Sequence, residues 1–195
     1  MSELRLTYGQ ATLIHKVVSP FVAKDRYRLV LTQMRWFATD GTLTVEATDS
    51  YKLCRFLFPG VRMDSTFDQF VDSAWFGDVL RAIRHRSLPV DLIWTAGMMK
   101  VVNNDRTFTQ DQPDMTAVNM DRMLADNVPT GEVDMTTPTP ALAVHQLRAI
   151  THLTDHANVT IARVDNLKPV VFDVQATNDE YRGTVLIMPV RRAGI

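Results

Sequence analysis

The run from Gly41 to Phe58, GTLTVEATDSYKLCRFLF, constrains the fold more than any other part of the chain. Leu43, Val45 and Ala47 alternate with Thr42, Thr44 and Glu46. That is the period of a strand with one buried face. Thr48, Asp49 and Ser50 then interrupt the pattern with side chains that compete for backbone hydrogen bonds and favour a turn. Alternation resumes with Leu53, Arg55 and Leu57 against Cys54, Phe56 and Phe58. Most of these are apolar, so the second strand reads as covered on nearly both faces. The stretch predicts two antiparallel strands around a short polar turn.

The rest of the chain repeats a simple order. Leu4 and Leu6 mark a short strand, and Gly9 to Phe21 reads as a helix with Ala11, Ile14, Val17, Val18 and Phe21 on one face. Pro20 sets its end near Ser19. Tyr27 to Leu31 and Met34 to Ala38 read as strands, and Thr39-Asp40-Gly41 is a hairpin signal. Pro59-Gly60 opens a loop, and Thr66 to Val71 is a further strand. Asp72 or Ser73 can cap a second helix, Ala74 to Arg86, with Trp75 or Phe76, Val79, Leu80 and Ile83 inward and Pro89 ending it. Strands follow at Val90 to Trp94, Met98 to Val102 and around Phe108. Residues 111 to 131 are turn-rich and read as a linker. Glu132 to Thr137 is a strand, and Thr139 and Pro140 start a third helix reaching about Leu153. Leu142 or Ala143, Leu147 and Ile150 point inward there, and His145, Arg148 and His152 share the other face. Three strands end the chain, at 158–164, 170–176 and 182–190. Strand, helix, several strands therefore recurs three times, the organisation of an α+β protein with antiparallel sheets and helices on one face.

Composition narrows the function classes. With 195 residues, 46% hydrophobic and 22% charged, the chain suits a soluble globular protein of one large or two small domains. A net charge of −1 excludes a global basic excess, so any nucleic-acid surface must come from local segregation of charge. The single cysteine, Cys54, excludes an internal disulfide framework and lies in an apolar strand, where a buried, inert thiol is expected. No apolar run approaches a membrane span, and a cytoplasmic protein without a membrane partner is expected. Catalysis finds little support: there is no phosphate-cradling glycine loop, nucleophile elbow or Cys-His signature. Asp111 and Asp114 are explained by a turn. His152 and His156, with Asp155, have a spacing that can hold a metal, but they fall at a helix end without a third ligand. No metal and no cofactor is expected.

Three segments, in order, carry a family resemblance. Ala47-Thr48-Asp49-Ser50-Tyr51-Lys52-Leu53 resembles the Ala-Thr-Asp-Gly-His-Arg-Leu of the middle domain of the bacterial DNA polymerase III beta sliding clamp. Pro113-Asp114 resembles the Phe-Pro-Asp that closes that domain. Leu186-Ile187-Met188-Pro189-Val190-Arg191 resembles the Val-Met-Pro-Met-Arg near that family's C-terminus. The resemblance implies a DNA-clamp-like fold of about one and a half clamp domains. Residues 1–128 would form a complete domain like the middle one, and 129–195 the second half of the last. It further implies a non-enzymatic processivity factor that encircles or contacts duplex DNA as a homo-oligomer. Half a domain per chain invites completion by another chain, and four chains would supply the six domains of a clamp ring.

The resemblance also implies partners and sites. DNA polymerase and other proteins with a clamp-binding motif would insert a short apolar peptide into a pocket. One wall would hold Leu29, Thr48, Ser50, Tyr51, Lys52 and Leu53. The other would hold Leu167, Leu186, Met188, Pro189, Val190 and Arg191. Leu29 and Leu167 are assigned by spacing. An apolar concavity with a few polar groups at its rim is what such a peptide needs. Alternatively, Leu186, Met188 and Val190 are strand residues facing the core. Ser50 replaces the family's Gly, and Tyr51-Lys52 its His-Arg, so the pocket could be narrower. Sequence-independent phosphate contacts would come from Lys16, Lys24, Arg81, Arg84, Arg86 and Arg148, with Arg26 beside them. As charges on exposed helix faces, the same residues could simply be solvated. The rival reading is a peptide-binding adaptor or decoy that keeps the pocket and does not encircle DNA.

Overall fold

A computed structural model describes residues 2–25, 27–63, 66–112, 114–127, 142–153, 157–163 and 168–189. The strands are β1 (Ser2–Leu6), β2 (Gln33–Thr39), β3 (Thr42–Thr48), β4 (Lys52–Arg62), β5 (Asp68–Asp72), β6 (Val90–Thr95), β7 (Met98–Asn103), β8 (Arg106–Asp111), β9 (Ala157–Arg163), β10 (Val170–Ala176) and β11 (Arg182–Ile187). The helices are α1 (Tyr8–Val18), α2 (Ser73–Ala82), α3 (Met120–Ala125) and α4 (Val144–Thr151).

All pairings are antiparallel, in a four-stranded sheet ordered β1-β6-β7-β8 and a seven-stranded sheet ordered β5-β2-β3-β4-β11-β10-β9. The first two strand-helix-strand units exchange their opening strands. β1 pairs with β6 of the second unit, and β5 pairs with β2 of the first. Neither unit closes its sheet alone. The third unit does not stand apart either: β11 joins β4 along its length, from Arg182 opposite Leu57 to Ile187 opposite Lys52.

The local signals account for most elements. Asp40 and Gly41 both adopt positive φ (49° and 70°), the two-residue hairpin turn whose twist suits its strands. Thr7 caps α1 through a reciprocal bond pair with Gln10, and Asp72 caps α2 by accepting from the Trp75 amide at 2.8 Å. Ile14, Val17, Phe21, Trp36, Phe56, Phe76 and Leu92 meet in one core between the sheets and α1, α2 and α4. Cys54 is buried in it, and burial pushes its thiol pKa up, so it stays protonated.

Several expectations need correction. The segment expected as a strand from Tyr27 to Leu31 instead gives a 3₁₀ turn, Leu29–Thr32, closed by the Thr32 hydroxyl donating to the Leu29 carbonyl. Pro59 and Gly60 do not break β4, because Pro needs no amide donor at that exposed position. α2 ends at Ala82, several residues before Pro89. In α4, Gln146 and Ala149 face inward with Leu153 beyond the helix end, while Leu147 and Ile150 are half-buried. The expected strand Glu132–Thr137 and the Thr139-Pro140 helix start lie outside the described residues. Finally, the segment read as a turn-rich linker contains α3. Strand alternation sends Leu53, Val171 and Leu186 to the sheet face opposite Cys54, Phe172 and Val185, and α3 packs on that face.

The β4–β11 seam depends on Gly183. A Cβ there would lie 2.0 Å from the Arg55 carbonyl oxygen and 2.8 Å from Phe56 Cα. Backbone cannot yield as a flexible side chain can. Gly183→Ala should therefore cost about 2 kcal/mol or more in urea unfolding, whereas Gly9→Ala, whose nearest neighbour lies at 3.9 Å, should be close to neutral.

Candidate functional site

The β3–β4 turn is built by its own polar side chains. Thr48 Oγ1 donates to the Lys52 carbonyl at 2.8 Å and accepts from the Ser50 amide at 3.1 Å. Asp49 Oδ1 accepts from the amides of Tyr51 and Lys52, both at 2.9 Å, and its other oxygen pairs with Lys52 Nζ. Ser50 sits at φ 79°. That left-handed backbone explains why a Gly suits this position in the resembling motif, and why Ser carries some strain.

The seam delivers the second wall. Leu186 lies opposite Leu53, and the Met188 amide donates to the Tyr51 carbonyl at 2.8 Å just past the end of β11. Thr48, Ser50, Tyr51, Lys52, Leu53, Leu186 and Met188 thus line one depression. Leu53 and Leu186 form its buried floor, while Tyr51 (63% exposed) and Met188 (36%) stand at its rim. Pro189 follows Met188, half-buried, and is not among the lining residues. Leu29 is not brought there either; it stands 51% exposed in the 3₁₀ turn. Leu167, Val190 and Arg191 lie outside the described residues.

Two residues missed by sequence reasoning complete the lining: Pro169, which precedes β10, and Met123 of α3. The depression is tight: the space open to the centre of a water molecule is about 10 Å³, on the scale of a single water. Met120, Met123 and Leu124, at i, i+3 and i+4 behind the capping residue Asn119, are the sequence signal that could have found this helix. On the other side of α3 an open groove of about 820 Å³ runs over β4, β11 and β10, with Leu57, Leu124, Val171, Val174 and Leu186 among its lining.

The basic residues have mixed surroundings. Lys16 and Arg148 are exposed in the last turns of α1 and α4. Arg84 and Arg86, expected on α2, lie past its end, both exposed, and the Arg86 guanidinium stacks 5.3 Å from the Tyr8 ring centre. Lys24 and Arg81 line a cleft of about 380 Å³ between α1 and α2, shared with Asp72 and Asp78. Arg81 is paired with Asp78, which weakens the local positive field. Arg26, Asp155 and His156 lie outside the described residues, and among those described no cluster of ligands could hold a metal. No helix among them is long and apolar enough to cross a membrane.

By sequence, no protein-family model and no curated protein matches the chain. By structure, many solved chains do. It superposes on the DNA polymerase sliding clamp of Bacillus subtilis with a TM-score of 0.73 at 13% identity, covering 97% of this chain and 64% of that one. The DNA polymerase III beta chain of Streptococcus pneumoniae gives 0.75 at 13% identity, with 98% and 65% covered. The fold is that of a shortened sliding clamp. This chain spans a little under two thirds of the length of those bacterial clamps. The structure of the C-terminal region of FEN-1 bound to A. fulgidus PCNA matches at a TM-score of 0.63 and 10% identity, with both chains covered fully.

His15 reports on the α1–α2 contact within this clamp fold. Its Nε2–H donates to the Ser73 carbonyl at 2.9 Å, and burial lowers its pKa below the ordinary 6.5, Arg81 adding to the effect. The folded state then holds His15 neutral where the unfolded chain takes a proton, so this stability is present above pH 6.5 and lost as pH falls through and below that value. Between about pH 7.5 and 5.5, thermal unfolding of wild type should lose ground to His15→Gln, and above that range the two should run parallel.

Proposed function

We propose that the chain is a non-enzymatic sliding-clamp subunit, a processivity factor that surrounds or contacts duplex DNA and tethers DNA polymerase and other motif-bearing proteins through its apolar pocket. One observation carries the reading: the β4–β11 seam sets Leu53 against Leu186 and Tyr51 against Met188, so two segments more than 130 residues apart become two walls of one depression. The clamp fold supports it, as does the packing of α1, α2 and α4 on one side of the sheets, leaving Lys16, Arg84 and Arg148 exposed for phosphates. Residues 1–128 form the complete clamp unit and 129–195 a half unit. β8 and β9 end their sheets among the described residues, and such ends can pair with further chains. A homo-oligomer built this way elutes above the monomer mass at working concentration; monomer alone at high concentration overturns the ring.

A second reading, the peptide-binding adaptor that does not encircle DNA, is favoured by the electrostatics. Net charge is −1, Arg81 is occupied by Asp78, and Arg86 stacks on Tyr8. Retention on circular against linear duplex separates the two. A ring stays on the circle at a salt concentration that strips it from linear DNA; an adaptor leaves both alike.

The pocket is tested with a short fluorescent peptide carrying Gln followed by Leu and Phe. Wild type should bind it, and the double variant Leu53→Ala, Met188→Ala, if still folded, should lose about 2 kcal/mol or more. A folded wild type that ignores the peptide reduces the likeness to fold alone.

A further inference from the structure

We infer that α3 is a built-in plug for the pocket, an internal occupant that a partner peptide must displace. This rests on the peptide-pocket reading above and adds to it a closed state and a way to open it.

Four observations meet at this helix. First, the pocket has little room in this state. Met123 joins Leu53 and Leu186 in the lining, and the space open to the centre of a water molecule is about 10 Å³, on the scale of one water and too small for a peptide's apolar side chains. Second, the filling is separate from the main core. Leu53, Met120, Val171 and Leu186 form their own buried cluster, joined by Val118, Met123 and Leu124. Removing α3 uncovers that cluster and leaves the packing around Trp36, Phe56 and Phe76 untouched.

Third, α3 is weakly held. It has six residues, too few for a helix to persist in water without tertiary support. Its polar attachments are the Asn119 cap on the Arg122 amide, the Asn127 amide donating to the Met123 carbonyl, and an ion pair between Arg55 and Asp121 at 2.7 Å. The Asp121 side chain is largely exposed, so that pair adds little. Fourth, the helix has somewhere to go. The groove of about 820 Å³ that Leu124 and Asn127 also line gives open space beside the helix, with Leu57 set among polar side chains such as Thr44, Arg55, Asp173 and Thr184. Methionine, flexible and unbranched, repacks readily when it moves.

Together these describe a two-state element. In the closed state Met120 and Met123 satisfy the apolar floor. In the open state a peptide with apolar anchors takes their place. The apparent affinity for peptide then equals the intrinsic affinity scaled by the open fraction.

The experiment uses the full chain and the same fluorescent Gln, Leu, Phe peptide. Two variants loosen the plug by different routes: Met123→Ala empties the pocket, and Asp121→Lys sets a positive charge against Arg55. Hydrogen exchange is followed across residues 119 to 127. The expected result is tighter peptide binding by both variants, about 10-fold, as the open fraction rises. Peptide added to wild type should accelerate exchange across 119 to 127 and slow it around Leu53 and Leu186. Wild-type binding with unchanged affinity in both variants, and no faster exchange in α3, overturns the plug; α3 is then a fixed wall and the pocket stands. No binding by wild type or either folded variant overturns pocket and plug together.

Discussion

The antiparallel contact between β4 and β11 is the constraint on which the remaining structure depends. It joins the last unit of the chain to the first across more than a hundred residues of sequence. It requires a residue without Cβ at 183, because the Arg55 carbonyl and the Phe56 backbone occupy that space. It buries both faces of β4 at once. Cys54 and Phe56 enter the main core with Val185, while Leu53 meets Leu186 and Val171 on the opposite face. A seven-stranded sheet results where two separate sheets would otherwise have open edges.

The two faces of that sheet do different work. The inner face carries α1, α2 and α4 and a continuous apolar core, the rigid scaffold of the clamp fold. The outer face is polar over much of its area. Glu46, fully buried, is held there by Arg35 and Arg55, and Arg35 reaches on to Asp68. A buried carboxylate between two guanidiniums is costly to disturb, so this network keeps the strands in register beneath the turn. Among the described residues, Leu53, Val171 and Leu186 make one end of the outer face apolar, and α3 covers it. The candidate pocket therefore has its floor on the strands Leu53 and Leu186 belong to, and part of its wall on a six-residue helix.

Much of this was legible in the residues. The alternation from Leu43 to Phe58, the Asp40-Gly41 hairpin and the Asp72 cap each carry a local physical cause, and each appears in the structure at its expected place. The pairing of Thr48–Leu53 with Leu186–Met188 was legible only through resemblance, since no local rule links strands so far apart. Where propensity misled, tertiary context had overridden it. Tyr27 to Leu31 look like strand residues, yet their segment curls into a 3₁₀ turn. Residues 111–131 look like linker because Asp, Asn and Pro dominate, and three apolar residues in a short helix leave a faint periodic signal.

By itself the sequence determined the elements and their faces: strands where polarity alternates, helices where apolar residues fall at three- and four-residue spacing, and turns where Asp, Asn and Gly permit positive φ. It also determined that no internal disulfide can form, since Cys54 is the single cysteine. Only the tertiary structure decided which strands are neighbours, that the opening strands of the first two units change places, and that Met123 joins the lining of the depression. The physical reason is range. Backbone sterics, capping and periodicity act over a few residues and are written in local order. Strand exchange, the β4–β11 seam and the seat of α3 depend on which distant apolar surfaces meet, and that is settled only when the whole core closes.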